Sequence, residues 1–295
     1  MATLSQTSTS ATTTIHPATH PGHVHLTVAD LEREIAFYRD ILGFKLHRRQ
    51  GGEAALGAGR EDLLRLTEAP GARRSPGTTG LYHTAFLVPT RLELAQLVLQ
   101  LAETRTPIDG LSNHGTHLAI YLPDAEANGI ELAWDFPRDR WPRMDDPAAA
   151  RSRPVDLDDL LSVLGDEPEE WQGLDPATQV GHVHLQVADL DASVQFYHGV
   201  LGFDIVFTNQ DMGAAFFSAG GYHHHIGANI WQGAGAPPPP PNSLGLRHFS
   251  LVLPDGAELQ SVVERARQAG VAGEALEGGT LLRDPAQNGV LLTAA

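Results

Sequence analysis

The 295-residue sequence predicts an α+β architecture of four βαβββ modules closed into two curved-sheet barrels. The prediction rests on a segment that recurs with its spacing intact, on two further segments that open alike, and on a change of hydrophobic period inside each copy. Gly22-His-Val-His-Leu-Thr-Val-Ala-Asp-Leu31 returns as Gly181-His-Val-His-Leu-Gln-Val-Ala-Asp-Leu190. The offset between them, 182 − 23 = 159, also carries Phe37-Tyr38 onto Phe196-Tyr197 and Leu42-Gly43-Phe44 onto Leu201-Gly202-Phe203. Leu81-Tyr-His-Thr-Ala-Phe-Leu-Val88 and Leu246-Arg-His-Phe-Ser-Leu-Val-Leu253 begin two more copies, which reach Asn128-Gly129 and Asn288-Gly289.

In each copy, His-x-x-Leu-x-Val alternates as a half-buried strand does, and Asp30 or Asp189 follows at a helix N-cap position. Leu31, Ile35, Tyr38 and Ile41, or Leu190, Val194, Tyr197 and Leu201, then fall at helical spacing, and Gly43 or Gly202 ends the helix. Three short strands complete the module; in the third copy they are placed at Phe203 to Phe207, Ala214 to Ser218 and His223 to Trp231. One such unit has a single apolar sheet face, so modules are expected to pair around a cavity. Residues 1–20 read as a disordered tail, 21–143 as modules one and two, 144–178 as an acidic, Pro-containing linker with a short helix at Val155 to Leu164, and 179–295 as modules three and four. Pro237 to Pro241 is expected as a stiff surface loop.

Composition limits the chemistry. The chain has no cysteine, which excludes disulfides, zinc fingers, iron–sulfur clusters and thiolate nucleophiles, and its 15 histidines leave His, Asp and Glu as the expected ligands. A formal charge of −16 without a basic run argues against nucleic acid and anionic membranes as partners. No apolar run approaches the roughly 20 residues that span a bilayer, and the chain reads as cytoplasmic.

The strand ending in Ala-Asp-Leu, followed by Phe-Tyr and Leu-Gly-Phe, resembles the vicinal oxygen chelate superfamily of glyoxalases, bleomycin-resistance proteins and extradiol dioxygenases. Four modules in one chain, with Gly80-Leu-Tyr-His83 and Gly220-Gly-Tyr-His-His-His-Ile-Gly-Ala-Asn-Ile-Trp231, are most similar to the catechol 2,3-dioxygenase subgroup of bacilli. The resemblance implies metal ligands on the first and last strands of a module. The opening histidines are His23, His83, His182 and His248; among the closings, Asn128-Gly-Ile-Glu131 offers a carboxylate and Asn288-Gly-Val-Leu291 does not. One complete site is therefore expected, with His83 and Glu131 as ligands and His248 structural.

Pairing modules one and two would add His23 as third ligand, and pairing two and three would add His182. Only the third module also brings the His223 to His225 stretch, so His182 is expected. Two imidazoles and one carboxylate leave room on iron(II) for a chelating diol and dioxygen, and manganese(II) accepts the same donors. His114-Gly-Thr-His-Leu-Ala-Ile-Tyr121-Leu-Pro-Asp124 through Glu131 resembles the extradiol signature apart from Ser112 and Ala125, which implies that His114 and Tyr121 hydrogen-bond the substrate oxygens. His224-His225-Ile-Gly-Ala228 resembles the context of the acid–base histidine, which points to His225, with His223 as second choice. The expected partners are a small aromatic diol and dioxygen, and a homo-oligomer is compatible with the sequence. A glyoxalase-type isomerase and a metal-free aromatic-binding resistance protein are the alternative readings.

Overall fold

A computed structural model describes residues 14–143, 152–165 and 171–295. The four modules are β1 (His20–Val28), α1 (Leu31–Ala36), β2 (Lys45–Gln50), β3 (Glu53–Gly57) and β4 (Leu64–Glu68); β5 (Gly80–Leu87), α2 (Arg91–Glu103), β6 (Gly110–Asn113), β7 (His117–Pro123) and β8 (Gly129–Asp135); then, after α3 (Leu157–Leu161) in the connecting segment, β9 (Gln179–Gln186), α4 (Leu190–Val194), β10 (Asp204–Asn209), β11 (Ala214–Ser218) and β12 (Ile226–Asn229); and β13 (Gly245–Leu253), α5 (Gly256–Gln268), β14 (Gly273–Leu276), β15 (Gly279–Arg283) and β16 (Gly289–Ala294). They form two eight-stranded curled sheets, ordered β14-β15-β16-β13-β1-β4-β3-β2 and β10-β11-β12-β9-β5-β8-β7-β6. Modules one and four thus share one sheet, and modules two and three share the other. In each sheet the two opening strands pair antiparallel at the centre, β1 with β13 and β5 with β9, and each takes its own module's last strand as a parallel neighbour.

Asp30 and Asp189 cap their helices as the sequence predicts, accepting from the backbone N–H of Arg33 and Ala192. Each helix then widens into a π-helical turn, at Phe37–Ile41 and at Gln195–Val200. The extra residue per turn shifts the buried face, so Leu42 is fully buried where the helical spacing places Ile41. Gly43 ends the first helix at φ 74°, and a Cβ there would meet Trp171 at 2.5 Å.

The Asn-Gly turns before β8 and β16 are built alike. Asp124 accepts from the backbone and side-chain N–H of Asn128 and from the Tyr38 hydroxyl, and Asp284 does the same with Asn288 and Tyr197. Glycine is needed next because a Cβ on Gly129 or Gly289 would meet the carbonyl oxygen of Tyr82 at 2.0 Å or of Arg247 at 2.4 Å. These turns fix where β8 begins, and with it the position of Glu131.

Three segments differ from expectation. Of the tail placed at 1–20, residues 1–13 lie outside the described residues, whereas Ile15 is 1% exposed and its N–H donates to the Gly202 carbonyl. Residues 144–151 and 166–170 of the connecting segment also lie outside them; the rest packs on the body through Leu160 and Leu174. The strand placed at His223 to Trp231 begins only at Ile226, because His223 to His225 run irregularly between the Gly220-Gly221 turn, both residues at positive φ, and β12.

Candidate active site and metal centre

The centre of the second sheet brings together His83, Glu131 and His182. Ala85 of β5 lies opposite Glu131 on β8 and opposite His182 on β9, so the three central strands present these positions in one row, and alternation puts His83 on the face of Ala85. Nε2 of His83 and Nε2 of His182 are 3.2 Å apart, and each is 3.1 Å from the same Glu131 oxygen, Oε2. All three side chains are buried. Buried imidazoles beside a carboxylate are a ligand set for a divalent ion, and the convergence of three ligand atoms fits one ion.

Burial alone would raise the Glu131 carboxyl. The neighbouring His182 and hydrogen bonds from His117, His182 and His83 outweigh it and hold Glu131 well below the usual range, ionised as a ligand must be. Burial first of all lowers His182, against the Glu131 charge, and lowers His184 well below the usual value.

His117 was not among the residues predicted from sequence. Its Nε2 lies 3.0 Å from Glu131 Oε1, and its Nδ1 lies 2.8 Å from the Thr116 hydroxyl, so His117 orients the carboxylate whose other oxygen faces His83 and His182. His114 Nε2 and the Tyr121 hydroxyl are 2.8 Å apart at the rim of the same cavity. Burial, then the Glu131 charge, raises Tyr121 far above its ordinary value, and burial lowers His114 to about 4. Tyr121 is a neutral phenol there and His114 a neutral imidazole.

The histidine run divides. His223 and His224 line the cavity that holds Glu131, whereas His225 lines a separate one of about 160 Å³, where its Nδ1 accepts from the Ala219 N–H and its ring stacks on Tyr222. Regular alternation would have placed His223 and His225 together. Asp135 Oδ1 lies 3.0 Å from His223 Nε2, and His223 Nδ1 lies 2.9 Å from His224 Nδ1. With Asp135 held ionised by His223 against the effect of burial, His223 donates from Nε2 and accepts at Nδ1 from His224, which leaves a lone pair on His224 Nε2. Asp135 was detectable in the sequence, being on the β8 face of Glu131; His224 was not.

The cavity has a volume of about 710 Å³, the size of a small-molecule pocket, and aromatic side chains including Tyr82, Phe207, Phe216 and Trp231 line it beside the histidines. Gly227 makes room for the His184 ring on the cavity wall, which a Cβ there would meet at 2.8 Å.

The family model of the Glyoxalase/Bleomycin resistance protein/Dioxygenase superfamily matches residues 20–133 and 179–280. The chain belongs to this superfamily. It is 42% identical over 277 residues to a catechol-2,3-dioxygenase of Bacillus subtilis (strain 168), covering 92% of this chain and 96% of that protein. It is also 31% identical over 121 residues, 38% of this chain and 62% of the relative, to biphenyl-2,3-diol 1,2-dioxygenase 3 of Rhodococcus globerulus. Among solved structures, glyoxalase I from Zea mays shares the fold at 18% identity with a TM-score of 0.57, over 94% of this chain and 92% of that one. As in that superfamily's repeat logic, the four modules of this member are equivalent in fold, yet the in-register His, His and Glu occur in one sheet of the two.

Proposed function

We propose that this chain is an extradiol ring-cleaving dioxygenase that acts on catechol or a substituted catechol with iron(II) held by His83, His182 and Glu131. The observation that carries the reading is the convergence of those three donors on the wall of a 710 Å³ aromatic-lined cavity. The 42% identity to a catechol-2,3-dioxygenase along nearly the whole chain supports it. Iron(II) bound there would supply the centre at which a chelated diol and dioxygen react, both oxygen atoms entering the ring-opened product.

The chain's own residues then have separable tasks. The phenol of Tyr121, held by His114, hydrogen-bonds a substrate oxygen, and its high proton affinity keeps it a donor. His224, neutral and with its Nε2 lone pair free, takes a proton from a catechol hydroxyl and can return it; Asp135 and His223 hold its tautomer. This acid–base role goes to His224 in place of His225, which lines the smaller cavity. Phe207, Phe216 and Trp231 cover the aromatic ring and keep bulk water from it.

The test is anaerobic loading with iron(II), then absorbance scans with catechol and substituted catechols in air. A yellow ring-fission product is expected from the native chain. Glu131→Ala should lose turnover and one bound metal ion per chain, because the anionic ligand supplies most of the attraction for a dication. Undiminished turnover in that variant would overturn the reading.

A further inference from the structure

We propose that the first sheet carries a second divalent-cation site, formed by His23 of β1, His248 of β13 and Glu277 at the tip of the β14–β15 hairpin. One ligand atom from each lies within 4.8 Å of the others. His23 and His248 stand where His182 and His83 stand in the other sheet: 182 − 23 = 159 is the repeat offset, and the pairing of His25 with His248 repeats that of His184 with His83. The carboxylate has moved. Leu291 lies opposite Ser250 as Glu131 lies opposite Ala85, so the in-register position is apolar, and Glu277 enters from the hairpin beyond Leu276. Sequence register alone, which compares Glu131 with Leu291, therefore misses this site.

Two observations point to a bound cation. Nε2 of His23 and Nε2 of His248 are both buried without a hydrogen-bond partner, in residues only 8% and 3% exposed, and unpaired buried nitrogens are rare because nothing replaces the lost water. Ser250 Oγ accepts from the His23 backbone N–H and lies 3.1 Å from Nδ1, and an Nδ1–H donated to it leaves the Nε2 lone pair for an ion. Burial, more than neighbouring charges, lowers His23 to about 2 and His248 to about 4, so both rings are unprotonated.

Arg65 pairs with Glu277 and also donates to Asp62 Oδ2 at 3.0 Å. It competes with the cation for Glu277 and keeps a partner when Glu277 turns away. Arg65 lies opposite His25 where the other sheet has Gly227 opposite His184, so a side chain stands at the position that glycine keeps open there. The ion would therefore clip the hairpin to the central strands, with zinc(II), cobalt(II) or nickel(II) suiting two imidazoles and a carboxylate.

Cobalt(II) titration of the Glu131→Ala/His182→Ala protein is read by visible absorbance and calorimetry, and adding His223→Gln to this double variant also removes the His117, Asp135 and His223 group, whose ligand atoms lie equally close together. One cobalt per chain is expected. His23→Ala or His248→Ala should abolish it, Glu277→Gln at the exposed tip should weaken it by at least about tenfold while leaving the circular dichroism unchanged, and Arg65→Met should tighten it. No cobalt uptake by the double variant, or uptake indifferent to Glu277→Gln, would overturn the proposal. Failure of the catalytic reading shows separately, as turnover retained by Glu131→Ala.

Discussion

His224 and His225 are neighbours in sequence and part company in the structure, because the backbone before Ile226 has not yet entered the strand. His224→Gln is expected to slow ring cleavage by roughly 100-fold with metal retained, the size usual for a general acid–base group, and His225→Gln to change it by no more than a few-fold. Steady-state rates on anaerobically loaded protein check both, and the reverse ranking would return the role to His225. The same contrast separates what was legible at this scale. His83, Glu131 and His182 sit within strands β5, β8 and β9, where repeat and alternation indicate the facing direction, and the structure brings the three side chains together. His117 shares β7 and the strand face of Tyr121, so alternation could have found it, whereas His224 lies in an irregular stretch whose direction does not follow from spacing.

At the level of elements, caps and stops were readable and the π-turns were not. Asp30, Asp189, Gly43 and Gly202 act locally, whereas the widening after Ala36 comes from tertiary packing of Tyr38 and Leu42. The same helix buries Glu34 completely, beside the carboxylates of Asp124 and Glu126. Burial, followed by Asp124 and Glu126 from the β7–β8 turn, pushes Glu34 up to about 9 against the opposing charge of Arg33. The folded chain therefore holds a proton that the unfolded chain releases near the ordinary value of about 4.5. Between those two values the folded state binds more protons, so Glu34 makes stability fall as pH rises, and the loss is complete above the higher one. Denaturant unfolding at about pH 5 and about pH 9 should show Glu34→Gln gaining on the native chain at the alkaline end by on the order of 2 kcal/mol. A pH-independent difference between the two proteins would contradict this.

At the scale of the whole molecule, two kinds of contact join the modules. Strand pairing joins two to three and four to one, while the ties from Tyr38 to Asp124 and from Tyr197 to Asp284 join one to two and three to four. The repeat made the modules legible, but four equivalent copies do not say which will pair; only the uneven distribution of chemistry, with Glu131 in module two and the histidine run in module three, pointed to the partnership. The proposed metal centre is consequently divided, His83 and Glu131 coming from the first half of the chain and His182 from the second. A cut within residues 144–151 leaves β1 and β5 without their antiparallel partners in one fragment, and β9 and β13 without theirs in the other. Unpaired central strands of this kind associate with whatever strand is available. Each fragment produced alone should aggregate or form oligomers and show no ring cleavage. Co-produced fragments should purify as one complex, with turnover within about tenfold of the intact chain because both sheets re-form from complementary edges. Size-exclusion chromatography with metal and activity assays measures this, and a monomeric single fragment that retained ring cleavage would show that the site does not depend on the pairing of modules two and three.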